Sequence, residues 1–257
     1  MSEPLLSEMQ ARLKDEFVRI HGCWHSMWDE VLQSAPEHFE AYLRFSGLPY
    51  RTGPLSSKVK ELISIAVSAS VTHLYAPSLR VHIKNALTHG ATKAEILEVF
   101  ELVAILGIHT MSFSVPILLK ELERVGKPVD LINLSPRAKE VQAEWVRTRG
   151  YWPEDFTAML ALDPDFVESF VDFATVMRTI GPLDRKTVEL IYIAVDGSTT
   201  HLFPEGVRNH TRAALEHGAT VEEIMETLEL ASNIGMHSMS FSVPILIEEI
   251  EQSLKKD

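Results

Sequence analysis

Only one cysteine, Cys23, occurs in 257 residues. A single thiol closes no internal disulfide, so a disulfide-stapled secreted fold and a CxxC redox pair are both excluded. Basic residues are scarce too: 24 Lys and Arg stand against 36 Asp and Glu, a formal charge of −12. No basic cluster is denser than Lys255–Lys256, so the footprint of a nucleic-acid binder is missing. Glu3, Glu8, Lys14, Asp15 and Glu16 interrupt the first thirty residues and leave no signal-peptide core. No wholly apolar run of about 18 residues is read, so no spanning helix is expected. These absences predict a cytoplasmic protein with neither nucleic acid nor membrane as partner. The hydrophobic content, 46%, suits a globular chain able to bury a core.

What the sequence does contain is a repeat. KELISIAV at 60–67 returns as VELIYIAV at 188–195, HGAT at 89–92 returns at 217–220, and MSFSVPIL at 111–118 returns whole at 239–246. The offset is 128 without a gap, and about 36 of 67 positions agree between 58–124 and 186–252. Two domains are expected, 1–127 and 128–257. Positions identical in both copies have survived independent drift. Eight of the 11 histidines are among them, as the pairs His73/His201, His82/His210, His89/His217 and His109/His237.

The periodicity is helical throughout. Leu62, Ile63, Ile65, Ala66 and Val67 mark a central, almost wholly apolar helix. Pro77 and Gly90 suit the start and stop of the next. Thr92/Glu95 and Thr220/Glu223 have capping-box spacing, and a last helix is expected from about Pro116 to Gly126. No period-2 stretch bounded by turns occurs, so the fold class is all-α, a tandem of two similar bundles.

Glu61 and Glu189 open the central helices, where they can either complement the helix dipole beside Lys58 or serve as partly buried acid–base groups. His82 and His210 lie on apolar helix faces, and His73 and His201 in the preceding links. His89 suits a helix C-terminus and reads as structural. His73, His82 and His109 could gather around a divalent metal, but their spacing matches no HExxH or CxxC…H pattern, so no metal is expected. Ser112 and Ser114 lack the GxSxG elbow of a hydrolase.

The run from Glu61 through Leu79-Arg-Val-His-Ile-Lys-Asn-Ala-Leu-Thr-His-Gly-Ala-Thr-Lys-Ala-Glu-Ile, with its second copy at 207–224, resembles the carboxymuconolactone decarboxylase and AhpD-like family. In the peroxidase branch of that family a Glu, two Cys and a His relay protons. Here Tyr75 and Ser78, or Phe203 and Gly206, stand at the Cys positions, so no thiolate nucleophile exists. The resemblance then implies the cofactor-free branch. A small lactone or ring carboxylate would lose CO2, with Glu61, His73 and His82, or Glu189, His201 and His210, as catalytic groups. Decarboxylation beside an unsaturated lactone leaves a carbanion delocalised onto a carbonyl. One His could deliver the proton and a donor such as His73 could hold the charge. Tyr75, Arg80 and Arg208 are the expected substrate-binding residues. The family also implies a homo-oligomer, here a trimer of two-domain chains. Two rivals remain: a metal-dependent enzyme using the paired histidines, and a non-catalytic small-molecule binding or assembly protein. Glu205, set against Pro77, favours the first copy as the anion site.

Overall fold

A computed structural model describes residues 6–150 and 152–255, and the described residues form helices and no strand. In the first copy these are α1 (Glu8–His21), α2 (Asp29–Ser34), α3 (Pro36–Ser46), α4 (Leu48–Thr52), α5 (Ser57–Ala69), α6 (Ala76–Thr88), α7 (Lys93–Ala104) and α8 (His109–Arg124). The second copy supplies α9 (Pro136–Arg149), α10 (Thr157–Leu162), α11 (Pro164–Ile180), α12 (Arg185–Gly197), α13 (Pro204–Glu216), α14 (Val221–Ser232) and α15 (His237–Leu254). The starts of α1, α5, α6, α7 and α8 recur in α9, α12, α13, α14 and α15 at the sequence offset. One element differs. Gly47 and Pro49 divide α3 from α4, and with Thr175 and Met177 in their places α11 runs through.

Local chemistry sets the ends. Ser56 and Asp184 cap α5 and α12 by accepting from Val59 and Thr187 N–H. Thr92 and Glu95 bond each other's backbone, as do Thr220 and Glu223. Gly90 and Gly218 stop α6 and α13 at φ +83° and +82°, where a β-carbon would be strained. The last helix of each copy does not begin at its proline. It starts at His109 and His237 behind a 3-10 turn, with Pro116 and Pro244 inside. Each proline leaves one carbonyl of the preceding turn without its helical donor. Nor are long apolar stretches absent. Lys93–Arg124 and Val221–Leu254 are long and apolar enough to cross a bilayer by length and composition. Each is interrupted by that 3-10 turn.

Packing divides the chain into two compact units. The first holds residues 1–103 and 183–257, the second 104–182. Their borders thus differ from the repeat border at 127/128. In the first unit α5 and α12 pack against each other, each in a hairpin with the helix that follows it, and α14 lies against both. A second layer joins α1–α3 to α15, where Leu13, Phe17, Trp28 and Phe39 close on Met236 and Val243. In the second unit Ile108 and Val115 close on Val141 and Trp145 of α9, Met159 and Leu160 of α10, and Val167 and Val171 of α11.

Candidate active site

Glu61 lies on the buried side of α5, 2% exposed. Its dipole-side partner is not Lys58, whose ammonium reaches Glu95 at 2.7 Å. The Glu61 carboxylate instead accepts from His82 Nδ1 at 2.7 Å, and Asn85 Nδ2 approaches its other oxygen at 3.5 Å. One turn of α6 separates His82 from Asn85, and α6 packs along α5, so the hairpin itself assembles the trio. Asn85 is fixed by donating to the His21 carbonyl, and Cys23 Sγ touches its oxygen.

His82 and Asn85 open onto a cavity within the first unit. The cavity is small, about 50 Å³, enough for a few water-sized groups. Ser64, Val67 and Ser68 of α5, Ser78 and Val81 of α6, aromatic residues of α1–α4, and Leu230, Asn233, Ile234 and His237 from the second copy line it. No Lys or Arg is among the described residues that line it. Burial, reinforced by the neighbouring His73 and His82, holds His237 down at about 3. Burial likewise lowers His21 to about 3, and it raises the Tyr42 and Tyr50 hydroxyls. These two imidazoles and two phenols are therefore neutral at pH 7.

His73 is not a wall residue. Its Nε2 lies 2.8 Å from Nδ1 of His237, which stands between it and the cavity. Burial also lowers the pKa of His73. Tyr75 stacks on His237 at 4.4 Å and its hydroxyl bonds Ser240 Oγ at 2.7 Å. Arg80 and Arg208 are exposed and absent from the wall. They therefore do not hold a carboxylate in this cavity. His109 opens a helix of the second unit, so the trio His73, His82 and His109 does not share one unit.

In the second copy His210 Nδ1 bonds Glu189 at 2.6 Å. The surroundings differ. Where the first copy has Ser64, Ser68 and Ser78, the second has Tyr192, Asp196 and Gly206. Tyr192 stacks on His210 at 4.4 Å. Asp196 is fully buried, one oxygen 3.8 Å from His201 Nε2 and the other 3.8 Å from His210 Nε2. Burial lifts its carboxyl to about 7, while His210 pulls the other way. Sequence reasoning passed over both His237 and Asp196. The first was visible as half of an identical pair, and the second as a Ser-to-Asp change on a central helix.

The two-copy organisation is met again in the comparisons with known proteins. The profile of the Carboxymuconolactone decarboxylase family matches residues 36–108 and 164–235. A crystal structure of a proposed gamma-carboxymuconolactone decarboxylase subunit from Burkholderia xenovorans LB400 is 41% identical, with a TM-score of 0.90. The match covers 95% of this chain and 98% of that one. A comparison with curated proteins finds no match. With the profile matched twice and the fold shared over nearly its whole length, the chain belongs to the carboxymuconolactone decarboxylase family.

Proposed function

We propose that this protein is a cofactor-free carboxy-lyase acting on a small unsaturated lactone or ring carboxylate at the first Glu–His site. The observation that carries the reading is His82, bound through Nδ1 to buried Glu61 while its ring forms part of a cavity wall. Its other nitrogen is the one left for chemistry. As CO2 leaves, the C–C bonding pair passes through the conjugated double bond to the lactone carbonyl oxygen. His82, protonated from solvent and stabilised by Glu61, delivers the proton to carbon. A wall without Lys or Arg suits loss of a carboxylate, because no fixed cation stabilises the departing charge in the ground state. A neutral amide in the wall, Asn233, is available to orient the ring.

The same reading extends to assembly and compartment. α15 exposes Phe241, Ile245 and Leu246 in the first unit, and α8 exposes Phe113, Ile117 and Leu118 in the second. Apolar strips of this kind suit contacts between copies, here a homotrimer working in the cytoplasm.

The test is CO2 release from γ-carboxymuconolactone and related unsaturated lactone carboxylates. His82→Gln is expected to lower kcat by about 10²–10⁴ with the fold retained by circular dichroism. Glu61→Gln should cost less, since it keeps a hydrogen-bond acceptor. No turnover by the native chain, or full turnover by His82→Gln, would overturn the reading.

A further inference from the structure

Four histidines line the first cavity, His21, His25, His82 and His237, and the Nδ1 atoms of the last two have different kinds of partner. His82 offers its Nδ1 to a carboxylate, which accepts and does not donate when ionised. The shared proton therefore sits on His82 Nδ1, and its Nε2 carries a lone pair. His237 offers its Nδ1 to an imidazole, His73 Nε2, at 2.8 Å, with the two ring planes within 8° of parallel. That geometry suits an in-plane N–H···N bond, and an imidazole, unlike a carboxylate, can donate.

The arrangement around His237 is held from several sides. Tyr75 stacks on its ring and is tied by its hydroxyl to Ser240, one turn further along α15. The His73 backbone is positioned by its amide N–H, which donates to the Ser70 carbonyl at 2.8 Å. The next residue, Leu74, is kept at φ +48°, a backbone conformation that costs a leucine energy. Leu202 repeats that conformation at φ +51°.

We propose that His237, contributed by the second repeat, is a catalytic residue of the first site, donating from Nε2–H to the carbonyl oxygen where charge accumulates, with His73 as the positioning residue that fixes this tautomer. The proposal rests on the decarboxylase reading and deepens it. His73, expected from sequence to hold the charge itself, acts instead through the ring in front of it. No proton leaves His237 in the step; it only strengthens a hydrogen bond as the oxygen becomes negative. Depression of its pKa by burial keeps the ring from becoming imidazolium, as such a neutral donor requires. At rest the cavity thus holds a lone-pair nitrogen on His82, which takes up from solvent the proton it delivers to carbon, and a donor on His237, each set by the group behind it.

Long-range ¹H–¹⁵N NMR of the intact chain reads both tautomers. The expected result is Nδ1–H on His82 and Nε2–H on His237, with signals assigned through His82→Gln and His237→Gln. Adding the saturated, unreactive probe 5-oxotetrahydrofuran-2-carboxylate should shift the His237 Nε2–H resonance. In turnover, His237→Leu should lose about 10²–10³ in kcat with little change in KM. His237→Gln, whose amide can still donate, should recover part of the loss. His73→Ala should lose less and should mix the His237 tautomers. An Nδ1–H tautomer on His237, no response to the probe, or near-native kcat in His237→Leu would each overturn the proposal. If tautomers and probe response are as expected but no lactone carboxylate turns over, the donor role in binding stands and the decarboxylase reading fails.

Discussion

A β-carbon added at Gly206 would lie 2.0 Å from an Asp196 oxygen and 2.7 Å from the Phe203 ring. Glycine is there for space, since its φ is ordinary for a helix. The first copy meets the same demand with two serines, Ser68 and Ser78, whose hydroxyls bond at 3.1 Å. The Asp and the Gly thus form a coupled change, and the coupling can be measured. Gly206→Ser alone should destabilise by about 1–3 kcal/mol through overpacking. Asp196→Ser in the same chain should return most of that loss by recreating the serine pair. Denaturant melts of the four chains give the interaction energy, and strictly additive effects would refute the coupling. Glu61 and His82 were legible in the sequence because polar groups persisting twice on apolar faces have few explanations. His237 carried the same signal through its identical partner His109, but only the packing shows that it reaches the first site while His109 lies in the other unit.

Single helices were the most legible scale, since capping residues, prolines and glycines act locally and need no knowledge of the fold. The start of α8 was misplaced because its first turn follows a 3-10 segment, a continuation that no capping residue signals. Buried ion pairs between helices were illegible for the opposite reason, being wholly tertiary. Lys60 of α5 reaches Glu226 of α14 at 2.8 Å and donates to the Pro49 carbonyl at 2.7 Å. Glu226 also accepts from Leu55 N–H at 2.7 Å. In the matching place Val188 replaces Lys60, and Glu98 accepts from Leu183 N–H at 2.7 Å. Burial raises the Glu98 carboxyl, with the Leu183 N–H and then Arg185 opposing. The two glutamates should therefore respond in opposite directions. Glu226→Gln strips a buried ammonium of its charge partner and should cost about 3–5 kcal/mol. An acid whose folded pKa lies above its unfolded value supports the fold where it is protonated, and that support fades as pH rises through the folded pKa. Glu98→Gln should accordingly raise the melting temperature at pH 8 and leave it unchanged at pH 4. A loss at pH 8 would show that ionised Glu98 is well compensated.

At the scale of the molecule the duplication was plain, yet the partition of helices into compact units was not. A repeat offset shows which residues correspond and is silent on which copy's helix covers which core. The last helices show why. α15 and the 3-10 turn before it set Met236, Met239, Val243 and Ile247 against α1–α3, and in the second unit Ile108, Met111, Val115 and Leu119 play those parts. The two sets match position by position, so the apolar pattern fits either partner equally well. A fragment ending at residue 127 keeps α1–α3 but loses α15, leaving Leu13, Phe17 and Phe39 uncovered. Its own α8 carries the equivalent apolar residues and can cover those helices in a second copy of the fragment. Exchange of an identical element is a low-cost route to a dimer. Fragment 1–127 should thus behave as a helical dimer in size-exclusion chromatography with light scattering. Mixing it in equal amounts with 128–257 should shift the material to a one-to-one complex, because each fragment then regains the helix that covers it in the intact chain. A cooperatively melting monomer of 1–127, indifferent to the other half, would show that each repeat covers its own core and that 127/128 is a true folding boundary.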